Sequence, residues 1–271
     1  MNTSKIYDDK SRQLVSFEGA CPFSCLHCYT FCEGYENSTG STIPDIIDTL
    51  KGKDFNVVYV SGHKENFIDP DLGLRLCEEI FREFYVDILI TTRNVFRDEH
   101  LQKLDKLQKE MRAKNNHIYF CVSVPAYDSH KKLEPNRAIP IPSDRIAFLK
   151  KVYQLGINTI LTIRPLCPSE FIPDEEALKI IEECKCFSSA VLVSGIVVNE
   201  QILHNLGDFP KNYSLLKEGV LMDCLGNDLL MRYVDVSKEL KKISDFCNSK
   251  GVPFFEKSLD AINYIQERHR R

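Results

Sequence analysis

Three cysteines lie within eight residues near the amino-terminal end of this chain of 271 residues: Cys21, Cys25 and Cys28. Thiolates are soft ligands, and thiolates this close on one loop can all face a single iron-sulfur cluster or metal ion. The negative charge that they gather is tolerable only when metal neutralises it. A structural zinc site normally closes with four protein ligands, and an electron-transfer cluster normally takes four cysteines. Three cysteines therefore indicate one coordination position that is left open for a substrate or cofactor.

Two other uses of these cysteines have to be weighed. A disulfide framework would belong to a secreted chain, but residues 1–10 contain no apolar segment of the kind that a signal peptide needs, so we expect a reduced, cytoplasmic protein. A closed metal or cluster site is the stronger alternative, because Cys32 follows Cys28 by four residues and His27 lies inside the loop. Either Cys32 or His27 could supply a fourth ligand, and ligand counting leaves this alternative open.

The composition is that of an ordinary globular chain, with 43% hydrophobic and 27% charged residues. The length is enough for one substantial core, or for one core with a small appendage. No apolar run approaches the length that crosses a bilayer and no internal repeat is present, so we expect neither a membrane protein nor a solenoid. The net charge of -4 offers no broad attraction to a phosphate backbone, which makes nucleic acid an allowed but not a favoured partner.

Short apolar segments alternate with amphipathic segments along most of the chain. Short, continuously apolar strands separated by helices indicate a parallel sheet that is covered by helices, an α/β fold. Such a sheet binds its ligands at the carboxyl ends of the strands, where the loops converge. The expected strands are residues 14–18, 56–61, 86–91, 117–124, 157–164 and 190–198, and the expected helices are residues 44–50, 71–84, 98–114, 143–155 and 175–184.

The region after residue 200 has a different pattern. Residues 220–225 and 228–233 are typical of a hairpin around Gly226 and Asn227. A helix at residues 237–248, a strand at 252–255 and a last helix from residue 259 follow the hairpin. We therefore expect a partial barrel over residues 1–200 and a short α+β extension over residues 201–271 that packs on it as one structural unit. The later cysteines are too scattered to predict a second cluster.

The cysteine spacing and the alternation together resemble the radical S-adenosylmethionine (SAM) superfamily. Its signature is Cys-x3-Cys-x2-Cys after the first strand of a partial (β/α)6 barrel, with an aromatic or similar ring before the last cysteine, the place of His27 here. The resemblance implies that Cys21, Cys25 and Cys28 hold a 4Fe-4S cluster, and that the amino and carboxylate groups of SAM chelate its fourth iron. It also implies an oxygen-sensitive enzyme that receives an electron from a donor such as flavodoxin or ferredoxin. Reductive cleavage of SAM then gives a 5'-deoxyadenosyl radical, which abstracts a hydrogen atom from the substrate.

The same resemblance implies a turn that binds SAM after the second strand. In the family this turn is rich in glycine and carries a glutamate that helps to hold the SAM amino group. Residues 61–67 form the corresponding turn here, and Glu65 takes the place of that glutamate. His63 and Lys64 interrupt the usual pair of glycines before it. We therefore expect Glu65 to bind SAM from a turn that is longer than the common form or differs from it in shape.

Polar residues at the ends of later strands extend the predicted cofactor site. Ser123 ends the fourth strand, where family members often place a polar residue against the SAM ribose. Arg164 ends the fifth strand, and its guanidinium suits bidentate contact with the SAM carboxylate or with a substrate anion. His27 and Tyr29, next to the last cysteine of the signature, complete the cofactor-binding residues. Cys167, in the loop after the fifth strand, is the one candidate for catalysis, because a thiol there could return a hydrogen atom to a product radical.

A narrower resemblance lies within residues 133–166. The segments 133–138, 143–146, 155–157 and 164–166 resemble the spore photoproduct lyase-like branch, whose members are often labelled DNA repair photolyases. The acidic balance and the lack of an interleaved basic and aromatic surface argue against DNA as the substrate. A flipped, damaged base stays open as a substrate, because local geometry dominates its recognition.

These expectations lead to a radical SAM enzyme with a single cluster that acts on an unidentified small molecule, nucleotide or peptide. Arg93 and Asn94, after the third strand, are expected to face the pocket in contact with the substrate rather than the cofactor. Two alternatives stay open. One is an activating enzyme that makes a glycyl radical on a partner protein. The other is a non-catalytic module in which Cys32 closes the metal or cluster site.

Overall fold

A computed structural model gives the fold and describes residues 11–32, 39–223 and 228–268. The strands of the described residues are β1 (Arg12–Val15), β2 (Val57–Val60), β3 (Asp87–Thr92), β4 (Ile118–Ser123), β5 (Asn158–Leu166), β6 (Ala190–Gly195), β7 (Val197–Val198), β8 (Leu215–Asp223), β9 (Asp228–Val234) and β10 (Phe254–Phe255). Seven of them form one parallel sheet in the order β1-β2-β3-β4-β5-β6-β10. The others form an antiparallel sheet in the order β7-β9-β8.

The α-helices of the described residues are α1 (Ile43–Leu50), α2 (Pro70–Phe84), α3 (Asp98–Ala113), α4 (Pro142–Gln154), α5 (Asp174–Cys184), α6 (Glu200–Leu206), α7 (Ser237–Ser249) and α8 (Ser258–Arg268). Local signals fix where they begin. Thr42 and Asp45 form a capping box at the start of α1, and Asp69 caps α2 just before Pro70. None of the helices in these ranges combines the length and apolarity needed to span a bilayer.

The two faces of the parallel sheet have different partners, because alternate residues of a strand point to opposite sides. One face carries residues such as Val58, Ile88 and Phe120 into the main apolar core, which helices α1 to α7 cover. The inner face carries residues such as Leu89 and Tyr119 against α8 in a second apolar cluster. Continuing the inner alternation toward the carboxyl ends of the strands leads from apolar to polar side chains. Helix α8 thus fills one part of the inner face and leaves the polar part for a ligand.

The α/β architecture with a parallel sheet is confirmed, and the differences lie toward the carboxyl-terminal end. The sequence pattern assigns β10 to the extension, but β10 pairs with Val191 and Leu192 of β6 and becomes the seventh strand of the main sheet. Two residues are too few to reveal such a pairing in a sequence. The expected strand at 190–198 divides into β6 and β7, and β7 joins the other sheet. Helix α6 has seven residues, too few to give a periodic signal.

The expected hairpin forms from β8 and β9, which pair in antiparallel fashion. Its turn at Gly226 and Asn227 lies outside the described residues. The hairpin sheet borders the main sheet through β7, which directly follows β6 in the chain. The division of the chain near residue 200 stays a prediction.

Candidate functional site

A cavity of about 310 Å³ lies at the carboxyl ends of the strands of the main sheet. Its volume is near the lower end of the range for pockets that hold a drug-sized ligand. We distinguish a cysteine wall, made of residues 21–31, the turn after β2 and the end of β3, from a far wall, made of the ends of β4, β5 and β6 with Val197 and Tyr233. The residues predicted for the metal and cofactor sites all line this cavity: Cys21, Cys25, His27, Cys28, Tyr29, Glu65, Ser123 and Arg164.

The cysteine loop, residues 19–29, is held in place by the segment that follows β4. The backbone N–H of Leu26 donates to the carbonyl of Leu133 at 2.9 Å, and Asn136 Nδ2 donates to the carbonyl of Pro22 at 2.8 Å. The side chain of Cys25 packs in a small apolar cluster with residues from both segments. Residues 133–138, which carry the narrower sequence resemblance, therefore fix the position of the cysteine loop.

The three thiols of the loop differ in exposure. Cys25 is buried, whereas Cys21 and Cys28 are half-buried. Burial raises the pKa of Cys25 to about 12, although the guanidinium of Arg93 lowers it in part. Burial also raises the pKa of Cys28, and a hydrogen bond of 3.0 Å with the Thr30 hydroxyl opposes that shift. Cys25 and Cys28 are therefore neutral thiols near neutral pH without metal, and a bound metal centre would convert them to thiolates.

Cys32, the predicted rival ligand, lies away from the cavity. It is 5% exposed, packs in the main apolar core and accepts a hydrogen bond of 3.3 Å at Sγ from Asn199 Nδ2. Burial raises the pKa of its thiol. Asn199 also caps α6 by accepting from the backbone N–H of Ile202. Over residues 11–32, 39–223 and 228–268, no three side chains of His, Cys, Asp or Glu are arranged to hold one metal ion.

Arg93, Glu134 and Arg145 form a buried ion network behind the cysteine loop. Glu134 Oε1 accepts from Arg93 Nε at 2.6 Å, and its Oε2 accepts from Arg145 Nη2 at 2.7 Å. Arg145 Nη1 also donates to the carbonyl of Ser123 at 2.6 Å, and Arg93 Nη2 lies 3.4 Å from His27 Nε2. Burial raises the pKa of Glu134, but the charges of Arg145 and Arg93 outweigh burial and lower that pKa to about 2. Glu134 is therefore a permanent carboxylate shared by two guanidinium groups.

Glu65 uses both carboxylate oxygens to shape the turn after β2. Its Oε1 accepts from the backbone N–H of Phe67 at 3.0 Å and from Thr92 Oγ1 at 2.9 Å. Its Oε2 accepts from the backbone N–H of Arg93 at 2.8 Å. Burial raises the pKa of Glu65, and the three donors lower it. A carboxylate has about four acceptor positions, so one remains for a ligand in the cavity. Contact with SAM stays a prediction for Glu65.

The two residues that interrupt the glycine pair join the turn to the cysteine loop. His63 Nδ1 and Tyr29 Oη are 2.6 Å apart, and Lys64 Nζ donates to the carbonyl of Gly19 at 2.7 Å. Burial and the positive charges of Arg12 and Lys64 lower the pKa of His63 to about 4. A neutral imidazole can accept from the Tyr29 hydroxyl. His63 and Lys64 thus connect this turn to the cysteine loop, a contact that the sequence does not reveal.

The far wall presents polar atoms with fewer protein partners. Ser123 is 2% exposed, and its Oγ has no hydrogen-bond partner. Arg164 Nη2 donates to the carbonyl of Glu256 at 2.6 Å, but its Nε is buried without a partner. No carboxylate in the described part of the chain lies within ion-pair distance of Arg164. A buried polar atom without a hydrogen-bond partner costs free energy. A polar ligand would therefore gain most binding free energy at the far wall.

Comparison by sequence finds no matching protein family and no matching curated protein. Comparison by structure finds similar solved proteins. Streptococcus suis SuiB bound to the precursor peptide SuiA superposes with a TM-score of 0.58 and 16% identity, over 92% of this chain and 49% of SuiB. A radical SAM methyltransferase from Sphaerobacter thermophilus gives a TM-score of 0.60 and 15% identity, over 94% of this chain and 69% of the methyltransferase. This chain has the radical SAM fold.

A third solved structure supports the same fold. Spore photoproduct lyase with bound AdoMet and dinucleoside spore photoproduct gives a TM-score of 0.58 and 12% identity, over 86% of this chain and 72% of the lyase. The chain spans about half the length of SuiB. At these identities the likeness concerns the fold, and the roles of individual residues in this radical SAM fold have to be argued from the cavity itself.

Two sequence expectations do not agree with the lining of the cavity. Cys167, the candidate for catalysis, is 1% exposed in the main apolar core, and burial raises the pKa of its thiol. It is not among the residues that line the cavity. Asn94 also lies outside the lining, because its Nδ2 donates to the carbonyl of Phe67 at 2.7 Å. Arg93 does line the cavity, as expected.

Several hydroxyl groups of the site have no counterpart in the sequence expectations. Thr91 Oγ1 donates to Tyr59 Oη at 3.0 Å, and both residues line the cavity with Thr162 and Ser194. The alternation of side chains along the strands could have indicated two of these residues. Counting back two residues from Arg93 gives Thr91, and counting back two from Arg164 gives Thr162, so both pairs share the inner face. The radical SAM fold here therefore carries a polar inner rim that the motif alone does not specify.

Proposed function

We propose that this protein is a radical SAM enzyme. In this proposal Cys21, Cys25 and Cys28 hold a 4Fe-4S cluster, and SAM occupies the cavity beside it. One observation carries the proposal: of the described cysteines, these three and no fourth line a cavity large enough for one cofactor-sized ligand. When bound, the cluster and SAM would supply a 5'-deoxyadenosyl radical that takes a hydrogen atom from the substrate.

The residues of the cysteine wall would hold the thiolates and exclude water. The segment at 133–139 keeps the cysteine loop against the sheet through two hydrogen bonds and an apolar cluster. Phe23 and Phe31 add apolar surface to the lining. A dry, enclosed site suits a reaction whose radical must meet its target before it meets anything else.

Residues of both walls would orient SAM. Ser123 Oγ is a free hydrogen-bonding group for the ribose, and the guanidinium of Arg164 has donor capacity left for the SAM carboxylate. Glu65 has an acceptor position left for the SAM amino group, and His27 and Tyr29 would contact SAM from the cysteine loop. Together these assignments would give a polar contact to the ribose, the carboxylate and the amino group of SAM.

The contact between Cys32 and Asn199 argues against the closed, non-catalytic module. Cys32 would have to leave a buried position and a hydrogen bond of 3.3 Å to become a fourth ligand. In our proposal Cys32 therefore has a packing role, and the open coordination position belongs to SAM.

The substrate is a small molecule, a nucleotide or a peptide side chain in this proposal. The solved neighbours include one bound to a precursor peptide and one bound to a dinucleoside, so the fold accommodates either class. A cofactor-sized ligand would occupy most of the cavity of about 310 Å³, so the substrate would approach past Val197 and Tyr233 at the far wall. The electron would come from a cytoplasmic donor such as flavodoxin or ferredoxin.

Anaerobic reconstitution tests the proposal directly. We expect about four irons per chain, bleaching of the cluster absorbance on reduction and release of 5'-deoxyadenosine from SAM. A chain in which Cys21, Cys25 and Cys28 are all replaced by alanine is the control, and it should do none of these. A protein that carries stoichiometric zinc and no iron would overturn the proposal.

A further inference from the structure

The guanidinium of Arg93 belongs to the buried ion network and lies beside the cysteine loop. Its Nε donates to Glu134 at 2.6 Å, and its Nη2 lies 3.4 Å from His27 Nε2 inside the loop. Arg93 also lines the same cavity as Cys21, Cys25 and Cys28. Arg93 is thus close enough to the loop to stabilise negative charge on its thiolates.

Glu134 and Arg145 hold the positive charge of Arg93 in position. Glu134 and Arg145 are fully buried side chains, and Arg93 is 23% exposed. Arg145 is itself tied to the carbonyl of Ser123, at the end of β4. The backbone of Leu133, next to Glu134, accepts from the cysteine loop. The guanidinium and the cysteine loop are therefore anchored to the same segment and cannot easily move apart.

The ion network also has an excess of positive charge. Two guanidinium groups share the single carboxylate of Glu134, which leaves the three side chains with a net charge of about +1. Glu65 is the other acidic group at this wall; its carboxylate oxygens accept from two backbone N–H groups and a hydroxyl. Burial raises the pKa of Glu65 and the charge of Arg93 lowers it in part, without an ion pair between the two side chains. A buried positive charge is stabilised by an anion beside it. Three thiolates with a 4Fe-4S core would be such an anion.

Building on the proposed function, we infer that Arg93 is a positioning residue that compensates the negative charge of the cluster and raises its reduction potential. Reduction adds one electron to an already anionic group. A fixed positive charge nearby stabilises the reduced form more than the oxidised form, and net charge and hydrogen bonding are among the main influences on iron-sulfur potentials. Arg93 thereby makes the cluster easier to reduce, and the reduced cluster supplies the electron that cleaves SAM.

The test measures the midpoint potential of the reconstituted cluster in the full chain, in the absence of SAM. Arg93→Met and Arg93→Gln remove the charge, and Arg93→Lys keeps it. Arg137→Met is the matched control, because Arg137 is an exposed arginine in the segment that follows Glu134. Iron content and circular dichroism are recorded first for every variant, so that potentials are compared only between folded, loaded proteins.

We expect both charge-removing variants to have a lower potential than the original protein. The reduction equilibrium should become at least tenfold less favourable, which corresponds to 59 mV for a one-electron couple. Arg93→Lys should recover more than half of this shift, and Arg137→Met should leave the potential unchanged. Fully loaded Arg93→Met and Arg93→Gln proteins with the original potential would overturn the inference.

Loss of iron from the variants is also informative. If Arg93→Met and Arg93→Gln fold but do not retain iron while Arg93→Lys does, charge compensation is supported, because a positive charge is what Lys shares with Arg and what Met and Gln lack. If Arg93→Lys also folds without retaining iron, the shape of the guanidinium matters rather than its charge, and the inference is wrong. Failure of the original protein to bind iron would instead overturn the proposed function.

Discussion

The two walls of the cavity differ in the partners of their buried polar groups. Behind the cysteine wall, charged side chains pair with charged side chains: Glu134 binds Arg93, which lines that wall, and Arg145, at 2.6 and 2.7 Å. On the far wall, Arg164 has only a carbonyl partner, and Ser123 Oγ has none. Polar groups that are already satisfied preserve a shape, whereas polar atoms without partners are available to a ligand. The cysteine wall is therefore mainly a rigid support, with His27 Nδ1 as a buried atom on it that also lacks a partner, and the far wall is mainly a binding surface.

The two walls should therefore affect different properties: the cysteine wall the stability of the fold, and the far wall the affinity for the ligand. A change in the cysteine wall should disturb the cysteine loop or the fold, because it leaves a buried charge or thiolate without its partner. A change in the far wall should leave the fold intact and weaken the ligand, because the altered atoms make few contacts within the protein. Stability and ligand binding of variants on the two walls therefore test whether the walls differ in this way.

The largest effect is expected for the cysteine loop. Cys28→Ala should abolish the cluster after anaerobic reconstitution, because two thiolates cannot hold it. Cys32→Ala should retain the full iron content, because the Cys32 thiol bonds to Asn199 instead of lining the cavity. Iron analysis and cluster absorbance provide the measurement. Comparable loss of iron from both variants would assign Cys32 to the metal site and favour the closed module.

The next effect is expected for the buried ion network. Glu134→Gln removes the one carboxylate that two guanidinium groups share, and breaking a buried pair costs about 3–5 kcal/mol of unfolding free energy. Urea unfolding followed by circular dichroism measures this loss. Glu99→Gln is the control, because the Glu99 side chain is 63% exposed and should change stability by no more than about 0.5 kcal/mol. An unchanged midpoint for Glu134→Gln would mean that the network does not support the fold.

The same contrast explains how much of the site the sequence reveals. The positions of the first strands along the chain, the cysteine loop and the position of Ser123 and Arg164 near strand ends follow from local patterns, because each depends on neighbouring residues. The partners of the network do not, since Arg93 and Glu134 are 41 residues apart and the contact between Cys32 and Asn199 spans 167 residues. A sequence shows that these residues are polar or thiol-bearing, but only the packed fold determines which of them meet.

Helix α8 illustrates the same limit at the level of the fold. Its sequence predicts a helix, and the pattern of the chain assigns that helix to an extension. In the structure its apolar residues Leu259, Ile262 and Ile265 pack on the inner face of the main sheet. Nothing local distinguishes a helix that covers the outside of a sheet from one that fills its inner face, because both bury one apolar stripe.

On the far wall, Arg164 should have the larger effect on binding. Arg164→Met should weaken SAM binding by about tenfold to a hundredfold if the guanidinium binds the carboxylate, because charge-assisted hydrogen bonds contribute about 1.5–3 kcal/mol. Decarboxylated SAM provides the control, since the variant and the original protein should bind it equally well. Equilibrium binding to the anaerobically loaded protein measures both ligands. Unchanged affinity for SAM would move Arg164 from the cofactor to the substrate.

The smallest effect compares one substitution on both walls. Ser61 Oγ, on the cysteine wall, accepts from the backbone N–H of Asn66 at 2.8 Å, whereas Ser123 Oγ has no protein partner. Ser61→Ala should therefore lower the free energy of unfolding by about 1 kcal/mol through loss of a buried hydrogen bond. Ser123→Ala should leave stability within about 0.5 kcal/mol and weaken SAM binding by about threefold to tenfold, because only the ligand loses a bond. Urea unfolding and SAM binding are measured for both variants. If Ser123→Ala destabilises the fold and leaves SAM binding unchanged, the Ser123 hydroxyl stabilises the protein instead of binding the ligand. The end of β4 would then not belong to the binding surface of the far wall.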